Sequence, residues 1–291
     1  MMRSLYSGVT GLRAHQTKMD VIGNNIANVN TVGFKSSRVV FQDIYSQTIS
    51  PASASTSNTG GTNPQQIGLG VQLAAIDTMN TESSSQYTGR DLDLAIDGDG
   101  YFVVQNGSSS IYTRAGNFKT DSDNYLVDSN GNYVMGCELD ASGSPVYKDA
   151  SGNVCDASAT GAHLTLKKIQ LDTKYDDISI SANGQVVGLD STTKTNTVIG
   201  QVVLATFANP DGLEKMGENA YRTTVNSGDP TYNLPDEGGA GKIDPGSLEM
   251  SNVDLTSEFA DMIVTQRGFQ ANSRVITTTD EMLEELVNMV R

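Results

Sequence analysis

Apolar residues recur every seventh position at both ends of the chain, and in short runs separated by turn residues between them. At the start, Leu5, Leu12, Met19 and Ile26 stand seven apart. Ile22 and Val29 fill the companion position in the last two heptads, while Gly8 and His15 occupy it in the first two. At the end, Leu248, Leu255, Met262, Phe269, Ile276, Leu283 and Val290 repeat without a miss, flanked by Phe259 and Val287. A sevenfold repeat draws an apolar seam along one side of a helix, as in helices that pack along their length. The second seam is incomplete, because Gln266, Ser273 and Asp280 stand where a dimeric zipper has leucine. Ser251 with Asp254 three residues on predicts a capping box ahead of that helix.

The middle reads as β. Val71–Met79, Leu92–Ile96 and Tyr101–Val104 predict strands. Asn106-Gly107, Asn130-Gly131 and Asn183-Gly184 predict hairpin turns, since Asn and Gly accept positive φ. Ile178–Leu189 forms a hairpin by itself, and Gly200–Phe207, the most apolar run, is the expected central strand. Low-complexity residues 46–66 and the Gly/Pro-rich residues 226–247 are connectors. Residues 140–163, polar and Gly-rich, read as a surface insertion. The expected fold class is therefore α+β: paired N- and C-terminal helices forming a discontinuous coiled-coil-like domain, and a mainly antiparallel all-β middle domain. The predicted boundaries are an N-terminal helix in 1–45, an extended linker in 46–88, a β-rich outer domain in 89–245 and a C-terminal helix in 246–291.

Charge sharpens this arrangement. Lys+Arg 19 against Asp+Glu 34 gives a net −15, the wrong sign for nonspecific binding to nucleic acid or anionic membranes. No run of 18 or more apolar residues occurs, so no membrane insertion is expected. Locally the picture differs. Residues 1–50 carry five Lys/Arg and two Asp/Glu, a net +3, whereas residues 248–291 carry three Arg and eight acids, a net −5. The first helix is thus drawn to the last, while two copies of the last repel. Gly8, Gly11 and Gly23 weaken the first helix. Seam burial falls well short of the entropy cost of ordering both ends. The ends are expected to become fully ordered only against copies of themselves or a partner, through Leu5, Leu12, Met19, Ile22, Ile26, Leu255, Phe259, Met262, Phe269, Ile276, Leu283 and Val290.

Chemical motifs fail on inspection. Asp97-Gly98-Asp99-Gly100 invites a calcium reading, but no EF-hand register holds, and a tight turn accounts for it better. Gly241-Lys242 resembles the end of a P-loop, yet Asp236 stands where its first Gly belongs and Ile243 where Ser or Thr belongs. Neither His15 nor His163 has catalytic company. No catalytic, cofactor or metal site is predicted, and an enzyme is disfavoured. Cys137 and Cys155 either form one disulfide or stay free. The three asparagines Asn24, Asn25 and Asn28 lower helix propensity without a visible local benefit, which suggests hydrogen bonds between subunits. Gly33-Phe34 reads as a helix stop.

Both ends and the middle of the chain carry a family resemblance. Asn24–Lys35 (NNIANVNTVGFK) resembles the N-terminal signature of the axial rod and hook proteins of the bacterial flagellum, with Asn24, Asn25, Asn28, Gly33, Phe34 and Lys35 as its signature residues. Ser251–Asn288 resembles their C-terminal helix, and Gly89–Val104, Tyr112–Phe118 and Leu204–Arg222 resemble their middle. Residues 140–163 have no counterpart. Within the family the chain looks most like the hook proteins in a short form, with the distal rod proteins as the alternative. The resemblance implies a helical homopolymer with the helices inside and the β-domain outside. In the hook this is a flexible tube that transmits torque from rod to filament. Implied partners are further copies, rod and hook–filament junction proteins, the hook cap and the flagellar type III export apparatus. The implied location is extracellular, in the flagellum. Export by that route also fits the N-terminus, where Ser4, Ser7, Gly8, Arg13 and Lys18 interrupt any secretory apolar run. A secreted β-domain that binds a partner, with helices only for oligomerisation, is the reading from a different class.

Overall fold

The computed structural model describes residues 2–54, 60–140, 145–148, 154–155, 163–172, 174–191 and 194–289. Most of the expected insertion at 140–163, the thiol of Cys155 and Val290 lie outside the described residues. The chain forms two units. One comprises Met1–Asn28, Ser36–Met79 and Val253–Arg291; the other comprises Val29–Lys35 and Asn80–Asn252.

The first unit holds helix α1 (Met2–Ala27) and helix α2 (Leu255–Met289). Beside them Ser37–Asp43 pairs antiparallel with Val71–Thr78, with a register shift at Val40/Phe41. The helix expected within 1–45 thus stops at Ala27. Asn24, Asn25, Asn28 and Asn30 favour local turns over helix, Gly33 takes φ +66°, and the β-branched Val39-Val40 then suits a strand. Nor is 46–88 simply extended, since Gln47–Ser50 pairs with Gln65–Ile67 and Val71–Thr78 lies in a ladder. The last helix starts at Leu255, not near 246. Asp254 caps it, its Oδ1 accepting the Thr256 N–H at 2.9 Å, while the expected cap Ser251 has a buried hydroxyl without a partner.

The second unit is a β structure. Its main path runs Tyr175–Ile180, Gln185–Asp190, Asn196–Val202, Tyr133–Cys137, Tyr101–Asn106, Ser109–Thr113, Ala220–Arg222 and Glu214–Gly217. Every pairing along this path is antiparallel. The three Asn-Gly turns lie at hairpin corners, with Gly107, Gly131 and Gly184 all at positive φ. The apolar run 200–207 is central: Val202, Val203, Leu204 and Ala205 are fully buried, and Leu204 pairs with Phe102. Both faces of Tyr101–Asn106 are covered. Phe102 and Val104 join one core with Leu94, Phe118, Val134, Val186 and Ile243. Tyr101 and Val103 join a second with Tyr112 and Tyr221, as a side-chain period of two requires.

The two motifs that failed chemically have one structural cause. Lys242–Pro245 pairs with Leu94–Asp97, and the two glycines meet where this ladder ends. A Cβ on Gly98 would lie 2.8 Å from the Gly241 Cα, and one on Gly241 would lie within 2.4 Å of the Asp97 carbonyl oxygen. Close backbone approach, not a ligand, selects glycine there. Cys137 is a free buried thiol, pushed up to about 11 by burial.

Burial also pushes the Tyr101 phenol up to about 12, and those of Tyr112 and Tyr221 higher still. Their unfolded counterparts titrate near 10. A group whose folded pKa is raised stabilises fully below the unfolded value and loses that contribution as pH rises through the folded one. The second unit is therefore expected to lose stability above about pH 10. Tyr101→Phe should flatten this alkaline limb in urea unfolding at pH 8 to 11.5; a limb as steep as in the wild type refutes the assignment.

Candidate assembly surface

Helices α1 and α2 pack closely because small residues line their contact. A Cβ on Gly8 would lie 3.2 Å from Ile276 Cγ1, one on Gly11 2.5 Å from Asn272 Nδ2, and one on Gly268 2.7 Å from the His15 ring. Gly8 and Gly11, which weaken α1 as an isolated helix, are thus what lets it pair, whereas Gly23 faces open space. The buried positions of the pair are Gly8, Gly11, Ala14, Ile22, Asn25, Thr265 and Thr279. The sequence seam is offset by part of a turn. Leu5, Leu12, Met19, Ile26, Met262, Ile276 and Leu283 are half-buried, and the companion line on α2 is Glu258, Thr265, Asn272 and Thr279 rather than Gln266, Ser273 and Asp280. Thr265 and Thr279 fit this seam because their hydroxyls donate to the Asp261 and Val275 carbonyls one turn back. The partly exposed Lys18–Asp261 pair at 3.5 Å adds little. Gly268→Val should drive a side chain into His15 and cost on the order of 2 kcal/mol of helix pairing. The measurement is helical circular dichroism of assembled material, with unchanged helix content as the refuting result.

Leu255, Phe259 and Phe269 lie on the outside of the pair. They share this exposure with the flanking Val287 and with residues that the single-seam reading missed: Tyr6 and Val9 on α1, and Ile263, Val264, Val275, Met282, Leu286 and Met289 on α2. Among the described residues, 17 of the 20 exposed large hydrophobic side chains belong to the first unit. Of the 30 buried hydrophobic residues, this unit holds two, Ala14 and Ile22. This unit therefore has a small buried apolar core and a large exposed apolar surface. More apolar residues on α2 than one heptad line can hold was the sequence signal for it.

The signature asparagines work inside the chain. Asn25 Nδ2 donates to the Ser37 carbonyl and to Glu258 Oε1, both at 2.9 Å, and Asn25 Oδ1 accepts the Ser37 N–H at 3.0 Å. One side chain thus ties the end of α1 to the start of a strand and to the first turn of α2. Asn28 Nδ2 donates to the Asn24 carbonyl at 2.9 Å. Bonds between subunits are not needed to explain Asn25. Burial pushes the Glu258 carboxyl up, partly opposed by the Asn25 bond.

Gly33, Phe34 and Lys35 lie in the second unit. Gly33 has no room for a side chain, since a Cβ would be 2.8 Å from the Arg114–Ala115 backbone. Phe34 receives the Lys215 ammonium over its ring at 5.2 Å. Lys35 is 1% exposed; its Nζ meets Glu249 Oε1 at 2.5 Å and donates to the Thr81 carbonyl at 2.8 Å. Arg114 reaches the other carboxylate oxygen at 3.3 Å and donates to the Gly98 carbonyl at 2.9 Å. Two buried cations therefore share one buried carboxylate. Burial lowers the Lys35 pKa, against the attraction of Glu249. No sequence pattern links Lys35, Arg114 and Glu249, which lie 79 or more positions apart.

Three family profiles match: "Flagella basal body rod protein" over residues 5–35, "Flagellar hook protein FlgE/F/G D1 domain" over 95–188 and "Flagellar basal body rod FlgEFG protein C-terminal" over 244–289. The flagellar basal-body rod protein FlgG of Bacillus subtilis is 50% identical over 292 residues, spanning all of both chains. The chain belongs to the flagellar rod and hook protein family. The hook protein FlgE of Borreliella burgdorferi is 33% identical over 441 residues, covering 99% of this chain and all of that one. The hook protein FlgE2 of Helicobacter pylori matches as a solved structure at 20% identity with a TM-score of 0.24, over 65% of this chain and about half, 47%, of its own. As a member of this family the chain is a structural component of the bacterial flagellum, with the antiparallel β middle and terminal helices that the sequence predicted.

Proposed function

We propose that this chain is a structural subunit of the distal rod that polymerises helically through its first unit. The distribution of apolar surface carries the reading: the terminal helices hold almost no interior, yet expose most of the large hydrophobic side chains among the described residues. Neighbouring copies that cover this surface complete the missing core. An open, non-closing contact between identical subunits generates a tube. In this reading the chain is not an enzyme, carries no cofactor, and meets further copies, other rod subunits, the first hook subunits and the export apparatus.

Rod is preferred to hook on length and identity. The Bacillus rod protein aligns end to end over 292 residues at 50%, whereas the Borreliella hook protein needs 441 residues at 33%. The hook subunit expected from the sequence is the second reading, favoured by hook relatives that also span the chain. Partners at the hook cap and filament junction go with that reading. Purified hook–basal bodies decide between them. An electron cryomicroscopy map should place this chain in the rod; side-chain density for it in the hook overturns the choice.

A further inference from the structure

Residues 29–35 belong to the β unit, although α1 before them and Ser37–Asp43 after them belong to the other. The excursion is held from several directions. The Gly33 N–H donates to the Glu249 carbonyl at 2.8 Å, and the Asn252 N–H donates to the Phe34 carbonyl at 3.4 Å. Asn219 Nδ2 donates to the Val32 carbonyl at 2.9 Å and Lys215 Nζ to the Lys35 carbonyl at 3.1 Å. The buried Lys35 side chain reaches Glu249 and Thr81. Gly33 at φ +66° fits against Arg114–Ala115 as no other residue does.

We propose that this segment is a clasp: docked on Ser247–Glu249, it sets the two ends of the chain beside each other before the helices pair. Helix α1 ends at Ala27 and α2 begins at Leu255. With the β unit folded but the clasp open, Glu249 is still paired with Ser85, so pairing the helices closes a loop of about 60 residues; through the Gly33–Glu249 bond the path is about a dozen, which raises their effective concentration on the order of tenfold. The β unit, with its own three apolar clusters, supplies the stability that the helices lack. The clasp rests on the assembly reading for its consequence, because a preorganised pair is what a growing polymer receives.

Hydrogen exchange on the full-length chain, kept too dilute to assemble, tests it. The Gly33 amide should exchange as slowly as those of Tyr101–Asn106, while α1 amides exchange at least about a hundredfold faster. A Gly33 amide that exchanges with α1 overturns the proposal. Lys35→Met and Asn219→Gly should each speed exchange at Gly33, leave Tyr101–Asn106 protected, and raise the concentration needed for assembly about tenfold. Assembly at the wild-type concentration with the clasp open also overturns it, and leaves the polymer reading standing. Should Lys35→Met unfold the β unit, Asn219→Gly, which keeps the positive φ, carries this arm. A wild-type chain that never assembles defeats the polymer reading, and Gly33 exchange then decides the clasp alone.

Discussion

Replacing Phe259, Ile263 and Val264 together with serine is expected to raise the concentration needed for assembly about a hundredfold while leaving the second unit unchanged. These three side chains are 49%, 59% and 64% exposed, so none contributes much to the isolated chain. Covering the exposed part of each by a neighbouring copy contributes about 1 kcal/mol, or about 3 kcal/mol for the three. That sum is about two decades in the concentration at which the polymer appears. Serine also lowers helix propensity by a few tenths of a kcal/mol per site. A control with Gln266 and Gln270, both exposed on the same helix, changed to serine carries a similar propensity loss without the apolar loss. Sedimentation over a concentration series should show the triple variant soluble where the wild type and the control pellet. Wild-type pelleting of the triple variant sinks the assignment of this face to assembly.

The helices, their charge asymmetry and the β middle were legible because periodicity is a local property. Leu255, Met262 and Ile276 announce a helix whatever they touch. Asn106-Gly107 announces a hairpin because the dipeptide alone sets the backbone. The second seam line was misread because it is polar. Thr265 and Thr279 satisfy their hydroxyls on their own helix, and no sequence pattern separates such a threonine from a solvated one. Gly8 and Gly11 read as weak points until the opposing helix is in place, since close approach is a property of the pair. Gly33-Phe34 read as a helix stop, but the Asn-rich turn ends α1 earlier, at Ala27. Lys35 and Glu249 were invisible as a pair: 214 residues separate them, and only the folded chain brings them together.

Glu249→Leu is expected to be the most damaging single substitution in the second unit. The carboxylate is buried between the Lys35 ammonium and the Arg114 guanidinium, all three nearly inaccessible. Removing the only anion of the three leaves two cations facing each other without solvent. Breaking a buried pair from one side costs about 3–5 kcal/mol, and here two partners are orphaned at once. Arg114 has nowhere to turn, because its Nε already lacks a partner and Tyr101 packs against its guanidinium at 5.3 Å. For a unit of this size a loss of that kind lowers the melting temperature by about 10 °C or more. Lys35→Met is the informative comparison. It removes the surplus cation and leaves Arg114 and Glu249 as a one-to-one pair, so its cost should be markedly smaller, about 1–2 kcal/mol, set by the lost bond to the Thr81 carbonyl and by the fit of the methionine. The order matters more than either value. If urea unfolding ranks Lys35→Met as equal to or worse than Glu249→Leu, the ammonium is the keystone and the surplus-charge argument fails. If Glu249→Leu loses several times more, the carboxylate is what lets a lysine and an arginine share one dry site.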